Sequence, residues 1–287
     1  MLSEAIKASC EEKLGTEILR VSFVGGGDIN DARLLESRRG LFFLKMNARP
    51  GSVTMFEKEE LGLRLLKASG AIRVPQSLGT GQADGYGFLL LEYVEETGRS
   101  RKFWENFGQA LANLHRCTDA HFGLSHSNYI GSLPQANHRH ANWADFFILE
   151  RLEPQVNRAI AHNGLWAGAP SDFDRLYNRI PELCPEEPPA LTHGDLWSGN
   201  FISAANGEPV LIDPAVSYAH REMDLGMSRL FGGFSPYFYQ AYQSAYPCLP
   251  GLDERIDIYQ LYYLLVHVNL FGSGYVEPVR RILQRYS

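Results

Sequence analysis

The feature that most constrains this chain of 287 residues is a short polar motif followed by an apolar run that ends in an aspartate. Residues 191–201 have the sequence LTHGDLWSGNF, and residues 210–215 have the sequence VLIDPA. Asp195 and Asn200 are five positions apart, and Asp213 comes thirteen positions after Asn200. Phosphoryl transfer needs metal ions that neutralise the phosphates and an acceptor for the proton of the attacking hydroxyl. One aspartate for the hydroxyl, with an asparagine and a second aspartate for the metal, meets that need.

The spacing is that of the protein-kinase catalytic set, in which H-R-D-x-x-x-x-N precedes D-F-G. Here Gly194 replaces the arginine, and Pro214 follows the last aspartate. A lone D-x-x-x-x-N is more often a loop that Asp and Asn side chains shape through local turns. The flanking HGD and IDPA favour the catalytic interpretation, with Asp195 as the base and Asn200 and Asp213 as metal ligands.

The rest of the chain predicts a small β-rich unit followed by a larger helical one. In the first unit, three short apolar runs predict strands, at residues 18–24, 41–46 and 88–94. One predicted helix, residues 55–69, ends at Gly70. In the second unit, helical periodicity recurs at residues 103–117, 143–162, 171–180, 237–246 and 253–271. We therefore expect a protein-kinase-like α+β fold with two lobes, residues 1–93 and 94–287.

The small lobe carries the residue types that nucleotide binding requires, in the order found in kinases. A glycine turn that can offer backbone N–H groups to phosphates follows the first predicted strand, and it comprises Gly25, Gly26, Gly27, Asp28, Ile29 and Asn30. Lys45 lies in the next apolar strand, where a charged side chain is costly without a partner. Simpler explanations stay open, because the glycines can form a plain hairpin turn and Lys45 can face solvent from an edge strand.

Glu59 is the partner that we expect for Lys45, in a lysine–glutamate pair that positions the nucleotide phosphates. Glu57 and Glu60 lie beside it at the start of the same helix, so helix-dipole complementarity also explains the acidic cluster. The small lobe ends where kinase-like folds place adenine against exposed backbone groups, at Glu92, Tyr93 and Val94. A plain linker between the lobes is the alternative there.

Longer segments of the chain resemble the fructosamine kinase family (ketosamine 3-kinases), within the wider aminoglycoside and choline kinase-like superfamily. The HGD motif with its later asparagine and aspartate is shared across the superfamily, whereas HGDLWSGN and residues 212–234 resemble fructosamine kinases in particular. Residues 122–137 and 143–155 resemble the middle region of that family, and residues 72–79 resemble its small lobe. The resemblance covers nearly the whole chain.

The resemblance implies a role for each motif residue. Asp195 would be the catalytic base, and Asn200 and Asp213 would be the two magnesium ligands. Lys45 and Glu59 would form the pair that binds the ATP phosphates. Trp197 and His193, beside the base, would contact the sugar, although Trp197 can also be a buried loop anchor. Many family members have a cysteine in the glycine loop that is linked to redox-sensitive dimerisation, whereas this chain has Asp28. Redox control through that position should be absent, and an acidic side chain near phosphates can weaken ATP binding.

The resemblance therefore implies an ATP- and Mg²⁺-dependent kinase that phosphorylates the C3 hydroxyl of ketosamines (ribulosamine, erythrulosamine or fructosamine) and so supports deglycation of proteins or amines. A kinase of another amino-alcohol, such as an aminoglycoside or a choline-like compound, is the first alternative. A nucleotide-binding pseudokinase is the second. The presence of Lys45, Asp195 and Asp213 argues against the pseudokinase.

Composition excludes other classes of protein. The 27 lysines and arginines against 33 aspartates and glutamates give a net charge of −6, which argues against nucleic acids and anionic membranes as partners. No apolar stretch has the length of a membrane span, and the N-terminal segment predicts an amphipathic helix rather than a signal peptide. The four cysteines have neither metal-site nor disulfide-framework spacing. We expect a cytoplasmic monomer or weak homodimer whose partner is a small-molecule or protein-bound ketosamine.

Several polar residues lie outside these motifs. Three charged residues stand close together in an otherwise apolar stretch, and they are Arg221, Glu222 and Asp224. We favour an ion-pair network that anchors the loop after Asp213 over contacts with substrate or metal. His115 lies on the apolar face of its helix and predicts a packed core histidine, and His138 with His140 makes only a weak candidate for a metal site.

Overall fold

An antiparallel sheet of five strands forms the first lobe. The computed structural model describes residues 2–25 and 30–286. The strands of the sheet are β1 (Ile18–Phe23), β2 (Asp31–Ser37), β3 (Gly40–Asn47), β4 (Ser77–Ala83) and β5 (Tyr86–Glu92). They lie in the spatial order β1-β2-β3-β5-β4. Apolar patterning predicts only three of them, because β2 is largely polar and β4 contains the segment GTGQA, which has the composition of a turn.

Strand β5 is buried on both faces of the sheet. Phe88 and Leu90 belong to the apolar cluster with helix α1 (Glu4–Leu14), whereas Leu89 and Leu91 belong to the cluster with α2 (Ser52–Ala68). Successive side chains of a strand point to opposite faces, so a strand covered on both sides needs an uninterrupted apolar run. Lys45 on β3 pairs with Leu89 in the register, which places its side chain on the α2 face.

The second lobe is built mainly from helices. Its α-helices are α3 (Arg101–Leu114), α4 (Trp143–Phe146), α5 (Glu153–Ala161), α6 (Ala169–Leu183), α7 (Glu222–Leu230), α8 (Pro236–Ala245), α9 (Leu252–Phe271) and α10 (Val276–Tyr286). A π-helical stretch, Phe147–Leu152, joins α4 to α5, so the helix predicted at residues 143–162 is one continuous segment. Helix α9 has buried residues on all sides and packs against α5, α7 and α10, which makes it the centre of this lobe. Helices α7 and α10 were not predicted from the sequence.

Short antiparallel strand pairs hold the loops of the second lobe. These strands are β6 (Asn128–Ile130), β7 (Leu133–Gln135), β8 (Ala190–Thr192), β9 (Phe201–Ala204), β10 (Glu208–Leu211) and β11 (Ser217–Ala219). They pair as β6 with β7, β8 with β11, and β9 with β10. Asp195 therefore follows the end of β8, and Asp213 follows the end of β10.

The predicted α+β architecture with a sheet-based and a helical lobe is confirmed. The sheet ends at Glu92 and the next helix begins at Arg101, while the boundary at residue 93 stays a prediction. Within residues 2–25 and 30–286, no helix combines the length and the apolar character that crossing a bilayer requires.

Candidate functional site

Lys45 joins three elements of the molecule at one point. Its Nζ, on β3, donates hydrogen bonds to Glu59 Oε1 and Oε2 on α2, at 2.8 and 2.9 Å. The same Nζ lies 2.9 Å from Asp213 Oδ1, just after β10. The Lys45 side chain is only 6% exposed, so the two carboxylates are the partners that a buried ammonium group needs. The predicted pairing of Lys45 with Glu59 is present, and a solvent-facing lysine is excluded.

Asp213 holds its carboxylate from a strained backbone position. Its φ is +54°, in the left-handed region, and Pro214 follows it. Such a conformation costs a non-glycine residue about 1–3 kcal/mol, and it is concentrated at functional sites. Gly62 of α2 faces this segment, because a Cβ there would lie 3.3 Å from Val216 Cγ2 and 3.4 Å from Pro214 Cγ. The helix that carries Glu59 is thus seated against the segment that carries Asp213.

Asp195 and Asn200 are joined across a tight loop. Asn200 Nδ2 donates to the Asp195 backbone carbonyl at 2.9 Å and to Asp195 Oδ2 at 3.0 Å. Backbone hydrogen bonds from Trp197 N to Asp195 O and from Asn200 N to Trp197 O close the same turn. Because the amide nitrogen is used within the loop, Asn200 Oδ1 is the atom that this side chain can offer to a metal.

Gly194 allows the loop to lie directly against the segment after Asp213. Its φ is +83°, and a Cβ on it would lie 2.1 Å from the carbonyl oxygen of Ala215. No L-residue with a side chain fits there, which explains why this chain has HGD where protein kinases have HRD. The close approach brings the loop of Asp195 next to that of Asp213.

The carboxylates of the site have displaced pKa values. Desolvation, and then the negative charge of Asp213, raise the pKa of Asp195 to about 7, and the hydrogen bond from Asn200 offsets only part of that effect. Desolvation also raises the pKa of Glu59 to about 7, against the lowering effect of Lys45. Burial lowers the pKa of Lys45, but Asp213 and Glu59 more than reverse this, so Lys45 stays protonated. The site therefore concentrates negative charge around one ammonium group, which favours a cationic guest.

Asp224, on α7, holds the backbone that precedes Asp195 in place. Its Oδ2 accepts a hydrogen bond from His193 N at 2.7 Å, and its Oδ1 accepts one from Gly194 N at 2.9 Å. His115 Nε2 lies 3.1 Å from Asp224 Oδ2, and His115 Nδ1 lies 2.8 Å from the hydroxyl of Tyr242. Burial alone would raise the pKa of Asp224, but the hydrogen bond and charge of His115 and the Gly194 N–H hold it below its ordinary value. His115 is fully buried, as its position on the apolar face predicts.

The prediction that His193 contacts the substrate is wrong. The side chain of His193 is fully buried, and it does not line the cavity described below. Its Nε2 lies 2.8 Å from the carbonyl of Ile212, and its Nδ1 accepts a hydrogen bond from Asp195 N at 3.2 Å. Both ring nitrogens are therefore used within the protein, where His193 links the loop of Asp195 to the end of β10.

Arg221 and Glu222 take part in the expected ion-pair network, but not with each other. Arg221 pairs with Glu187 at 2.5 Å, and Arg255 pairs with Glu222 at 2.5 Å. Arg221 also donates to the carbonyls of Tyr246 and Pro247. These buried pairs tie the start of α7 to its neighbours, so the network supports the helix that carries Asp224.

Of the predicted glycine turn, the structure describes Gly25 and Asn30, and Asn30 reaches the site. Asn30 lines the cavity, and its Oδ1 accepts a hydrogen bond from Asn47 Nδ2 at 2.9 Å. The other residues of that turn, Gly26, Gly27, Asp28 and Ile29, lie outside the described residues, so the assignment of the turn to the phosphates stays a prediction. At the interlobe connection, the carboxylate of Glu92 binds Arg73 and the backbone N–H of Gln76, and Val94 is buried. The assignment of Glu92, Tyr93 and Val94 to adenine stays a prediction.

A cavity of about 900 Å³ opens beside these residues. Asp195, Asn200, Lys45, Glu59 and Asp213 all line it. Further lining residues come from the β6–β7 hairpin, from the loop after Asp195 and from the far end of the second lobe, and they include Tyr129, Ile130, Gly131, Trp197, Phe231, His267, Phe271 and Tyr275. Sequence reasoning identified only Trp197 among them.

Trp197 presents a partly open ring to this cavity. It is 39% exposed, so it is not a buried loop anchor. A Cβ on Gly199 would lie 2.4 Å from the Trp197 ring, which means that the ring rests on the backbone of Gly199. The loop HGDLWSGN thus places one aromatic side chain in the cavity that Asp195 also lines.

Buried amides hold the β6–β7 hairpin against the segment after Asp213. Gln135 Nε2 donates to Asn128 Oδ1 at 2.8 Å and to the carbonyl of Ala215 at 3.1 Å. Asn128 Nδ2 donates to the carbonyl of Val216 at 2.9 Å, and the hydroxyl of Tyr262 donates to Gln135 Oε1 at 2.6 Å. One wall of the cavity is therefore fixed to the backbone that follows Asp213.

The two histidines of the polar loop contact the same carboxylate, that of Glu150. His138 Nδ1 lies 3.1 Å from Glu150 Oε2, and His140 Nε2 lies 3.0 Å from Glu150 Oε1. In the described part of the chain, no group of three or more His, Cys, Asp or Glu side chains is arranged to hold a metal ion. These contacts fasten the loop to the π-helical stretch.

The fold is similar to that of a small-molecule kinase. The structure has a TM-score of 0.66 against the crystal structure of a thermostable mutant of an aminoglycoside phosphotransferase. That match covers 97% of this chain and 98% of the other, at 16% sequence identity, and so concerns the fold alone.

The family follows from closer relatives. A family model described as fructosamine kinase matches residues 2–287, and the chain belongs to that family. A probable ketoamine kinase of Lactiplantibacillus plantarum is 43% identical over 277 residues, which are 94% of this chain and 95% of the relative. The crystal structure of a fructosamine-3-kinase candidate from Thermobifida fusca has a TM-score of 0.89 at 31% identity and covers 99% of both chains. The resemblance stated from the sequence is confirmed.

Proposed function

We propose that this protein is an ATP- and Mg²⁺-dependent kinase that phosphorylates the C3 hydroxyl of ketosamines. The observation that carries the proposal is the meeting of Lys45 with Glu59 and Asp213 at the wall of the cavity that Asp195 also lines. A lysine–glutamate pair, a metal-binding aspartate and a base are the parts that phosphoryl transfer requires. The family membership and the names of the relatives support a ketosamine as the acceptor.

Asp195 is the group that receives the proton. Its Oδ2 accepts a hydrogen bond from Asn200 Nδ2, so its Oδ1 is the oxygen that can accept a hydrogen bond from a substrate hydroxyl. As the C3 oxygen forms its bond to the γ-phosphorus, the bond between that phosphorus and the β–γ bridging oxygen breaks, and ADP leaves. The hydroxyl proton passes to Asp195, so charge and atoms balance.

Lys45, Asn200 and Asp213 act on the phosphates of ATP. Lys45 donates hydrogen bonds to phosphate oxygens, and Glu59 holds its ammonium group in place from α2. Asn200 Oδ1 and the carboxylate of Asp213 fit Mg²⁺, which takes oxygen ligands and is usually held by one or two protein groups together with substrate phosphates. When bound, the ion supplies positive charge that neutralises the transferring phosphoryl group.

The cavity also bears on the alternative substrates. Among its described lining residues, the only carboxylates are those of Glu59, Asp195 and Asp213, all of which the transfer reaction uses. Aminoglycosides are polycations and need several further carboxylates, so this lining favours a substrate with one amine. Deglycation of proteins or amines is the role that we propose for the reaction, in the cytoplasm, where its four cysteines are free.

The test is release of ADP by the purified protein with Mg·ATP and lysines that carry ribulose, erythrulose or fructose at the amine. Kanamycin and choline serve as controls, and Asp195→Ala is the matched variant. We expect turnover of at least one ketosamine and none in the variant, with ATP binding retained. Turnover of a control compound alone, or full activity of Asp195→Ala, contradicts the proposal.

A further inference from the structure

Four aromatic side chains form a continuous wall at the cavity, on α9 and on the segments next to it. Phe231, His267, Phe271 and Tyr275 line it, and we call these four residues the aromatic rim. The ring of His267 lies at the centre, with centroid distances of 4.7 Å to Phe231, 4.9 Å to Tyr275 and 5.4 Å to Phe271. Phe231 and Phe271 are 42% and 52% exposed. Two large apolar rings thus stay open at a site whose transfer chemistry does not use them.

The aromatic rim carries no charge of its own. The Nδ1–H of His267 donates to the carbonyl of Tyr263 at 2.7 Å, and burial lowers the pKa of His267, so its ring is neutral at pH 7. Elsewhere the chain covers aromatic rings with its own cations, as Arg99 does over Phe201 at 4.5 Å. Within residues 2–25 and 30–286, no lysine or arginine lies over a ring of the rim. These rings are therefore available to a cation from outside.

We propose that the aromatic rim binds the charged amine of the ketosamine and the first methylenes of the chain that carries it. This inference rests on the proposed function, because the substrate must reach Asp195 with its C3 hydroxyl and the rim with the amine at C1. The secondary amine is protonated at neutral pH, and aromatic faces attract such cations. The rim then distinguishes an amine-linked sugar from a free sugar.

Rings suit this position better than carboxylates do. Asp195, Asp213 and Glu59 already place three carboxylates at the wall of this cavity, where like charges repel one another. A further carboxylate beside the amine would add to that repulsion and would compete for the metal. An aromatic ring offers a negative electrostatic face without a net charge, so it can hold the amine and leave the catalytic carboxylates undisturbed.

The experiment compares two substrates that differ only in the charge next to C1. One is 1-deoxy-1-(butylamino)fructose, and the other is the neutral ether 1-O-butylfructose. We expect the wild type to favour the amine in kcat/KM by about tenfold, as cation–π contacts in partly desolvated sites imply. Phe231→Leu and Phe271→Leu keep an apolar side chain but remove the aromatic face. In these variants the ratio of kcat/KM for the amine to kcat/KM for the ether should fall to a value between about 1 and 3, mainly because KM for the amine rises.

Tyr237→Leu is the matched control, because Tyr237 is an exposed aromatic residue on α8 that does not line the cavity. Its amine-to-ether ratio should equal that of the wild type. An unchanged ratio in both rim variants, or an equal loss for amine and ether, overturns the inference and leaves the proposed function standing. Absence of turnover with every ketosamine in the wild type overturns the proposed function, and this inference with it.

Discussion

Asp195 and Asp224 lie on the two sides of the same loop, and their surroundings oppose each other. Asp224 is sealed in the protein and accepts hydrogen bonds from His193 N, Gly194 N and His115. Asp195 opens on the cavity, accepts one side-chain hydrogen bond from Asn200 and faces the charge of Asp213. The pKa of Asp224 is accordingly lowered, while that of Asp195 is raised to about 7.

These opposite surroundings indicate which of the two carboxylates is free to react. A carboxylate whose two oxygens both accept hydrogen bonds from fixed N–H groups is stabilised in its ionised form and does not readily take up a proton. A carboxylate with an oxygen that accepts no hydrogen bond from the protein can accept one from a substrate hydroxyl and then receive the proton of that hydroxyl. The loop is thus held on one side by Asp224 so that Asp195 can act on the other.

The largest expected effect is the loss of turnover in Asp195→Asn. Removal of the proton acceptor should lower kcat by about 10²–10⁴-fold. Without metal, the variant should unfold at the same or a higher temperature than the wild type, because desolvation and Asp213 both disfavour the charge that is removed. Steady-state kinetics and calorimetry measure the two effects, and a clear loss of stability would place Asp195 with Asp224 as an anchor.

Asp224→Asn should have the second-largest effect, which we expect mainly in the free energy of unfolding. The amide nitrogen of asparagine would face the N–H of either His193 or Gly194, so one hydrogen bond becomes a repulsive contact. Loss of a buried charged partner costs about 3–5 kcal/mol in the free energy of unfolding. Denaturant unfolding at pH 7 measures the cost, and a variant as stable as the wild type would contradict the role of Asp224 as an anchor.

The pH dependence of that cost follows from the lowered pKa of Asp224. A lowered pKa stabilises the folded state above the ordinary aspartate value of about 4, and this contribution is lost as the pH falls through the folded pKa. The gap in unfolding free energy between wild type and Asp224→Asn should therefore be full at pH 7 and shrink below pH ~4. A gap that widens on acidification would contradict the assignment.

His115→Phe should have a smaller effect on the same anchor. The substitution removes one of the three hydrogen bonds to Asp224 and leaves the two backbone donors in place. We expect a loss of about 1–3 kcal/mol in the free energy of unfolding, with KM for ATP little changed. Gln109→Ala, at an exposed position of the same helix, is the control for a change on α3 away from the network. An equal loss in both variants would assign the effect to the helix rather than to Asp224.

Gly199→Ala should have the smallest effect, confined to the reacting side of the loop. The new methyl group would lie within 2.4 Å of the Trp197 ring, so the ring must shift. We expect a several-fold rise in KM for the ketosamine, with little change in the unfolding temperature because Trp197 is partly exposed. Unaltered kinetics would mean that Trp197 does not touch the sugar.

Local spacing made much of the fold and of the transfer residues predictable. Asp195 and Asn200 are near neighbours in the chain, and Lys45 with Glu59 follows the fixed order of strand and helix, so sequence alone indicates their pairing. Strand β4 was missed because its glycines have the composition of a turn, although glycine at position 81 is required there: a Cβ would lie 2.4 Å from the ring of Phe88. Such a need arises only from packing.

The failures concern residues whose partners are distant in sequence. His193 was assigned to the substrate because it is close to Asp195 in the chain, but its ring turns inward to the carbonyl of Ile212. Asp224 was expected to help anchor the loop after Asp213, whereas its hydrogen bonds hold the loop of Asp195 from α7, a helix that the sequence pattern did not indicate. The aromatic rim draws on the end of α7, on α9 and on the segment that follows α9. No local pattern brings these elements together.

The crowding at Gly194 has a consequence for regulation. In protein kinases of the H-R-D type, the arginine at this position belongs to the loop of the catalytic base, and phosphorylated activation loops are ordered by pairing with arginines. Here the carbonyl of Ala215 fills the space of even a methyl group, so no basic side chain can extend from this residue to receive a phosphate. Regulation by a phosphate that pairs with a basic side chain at this residue is therefore not open to the enzyme.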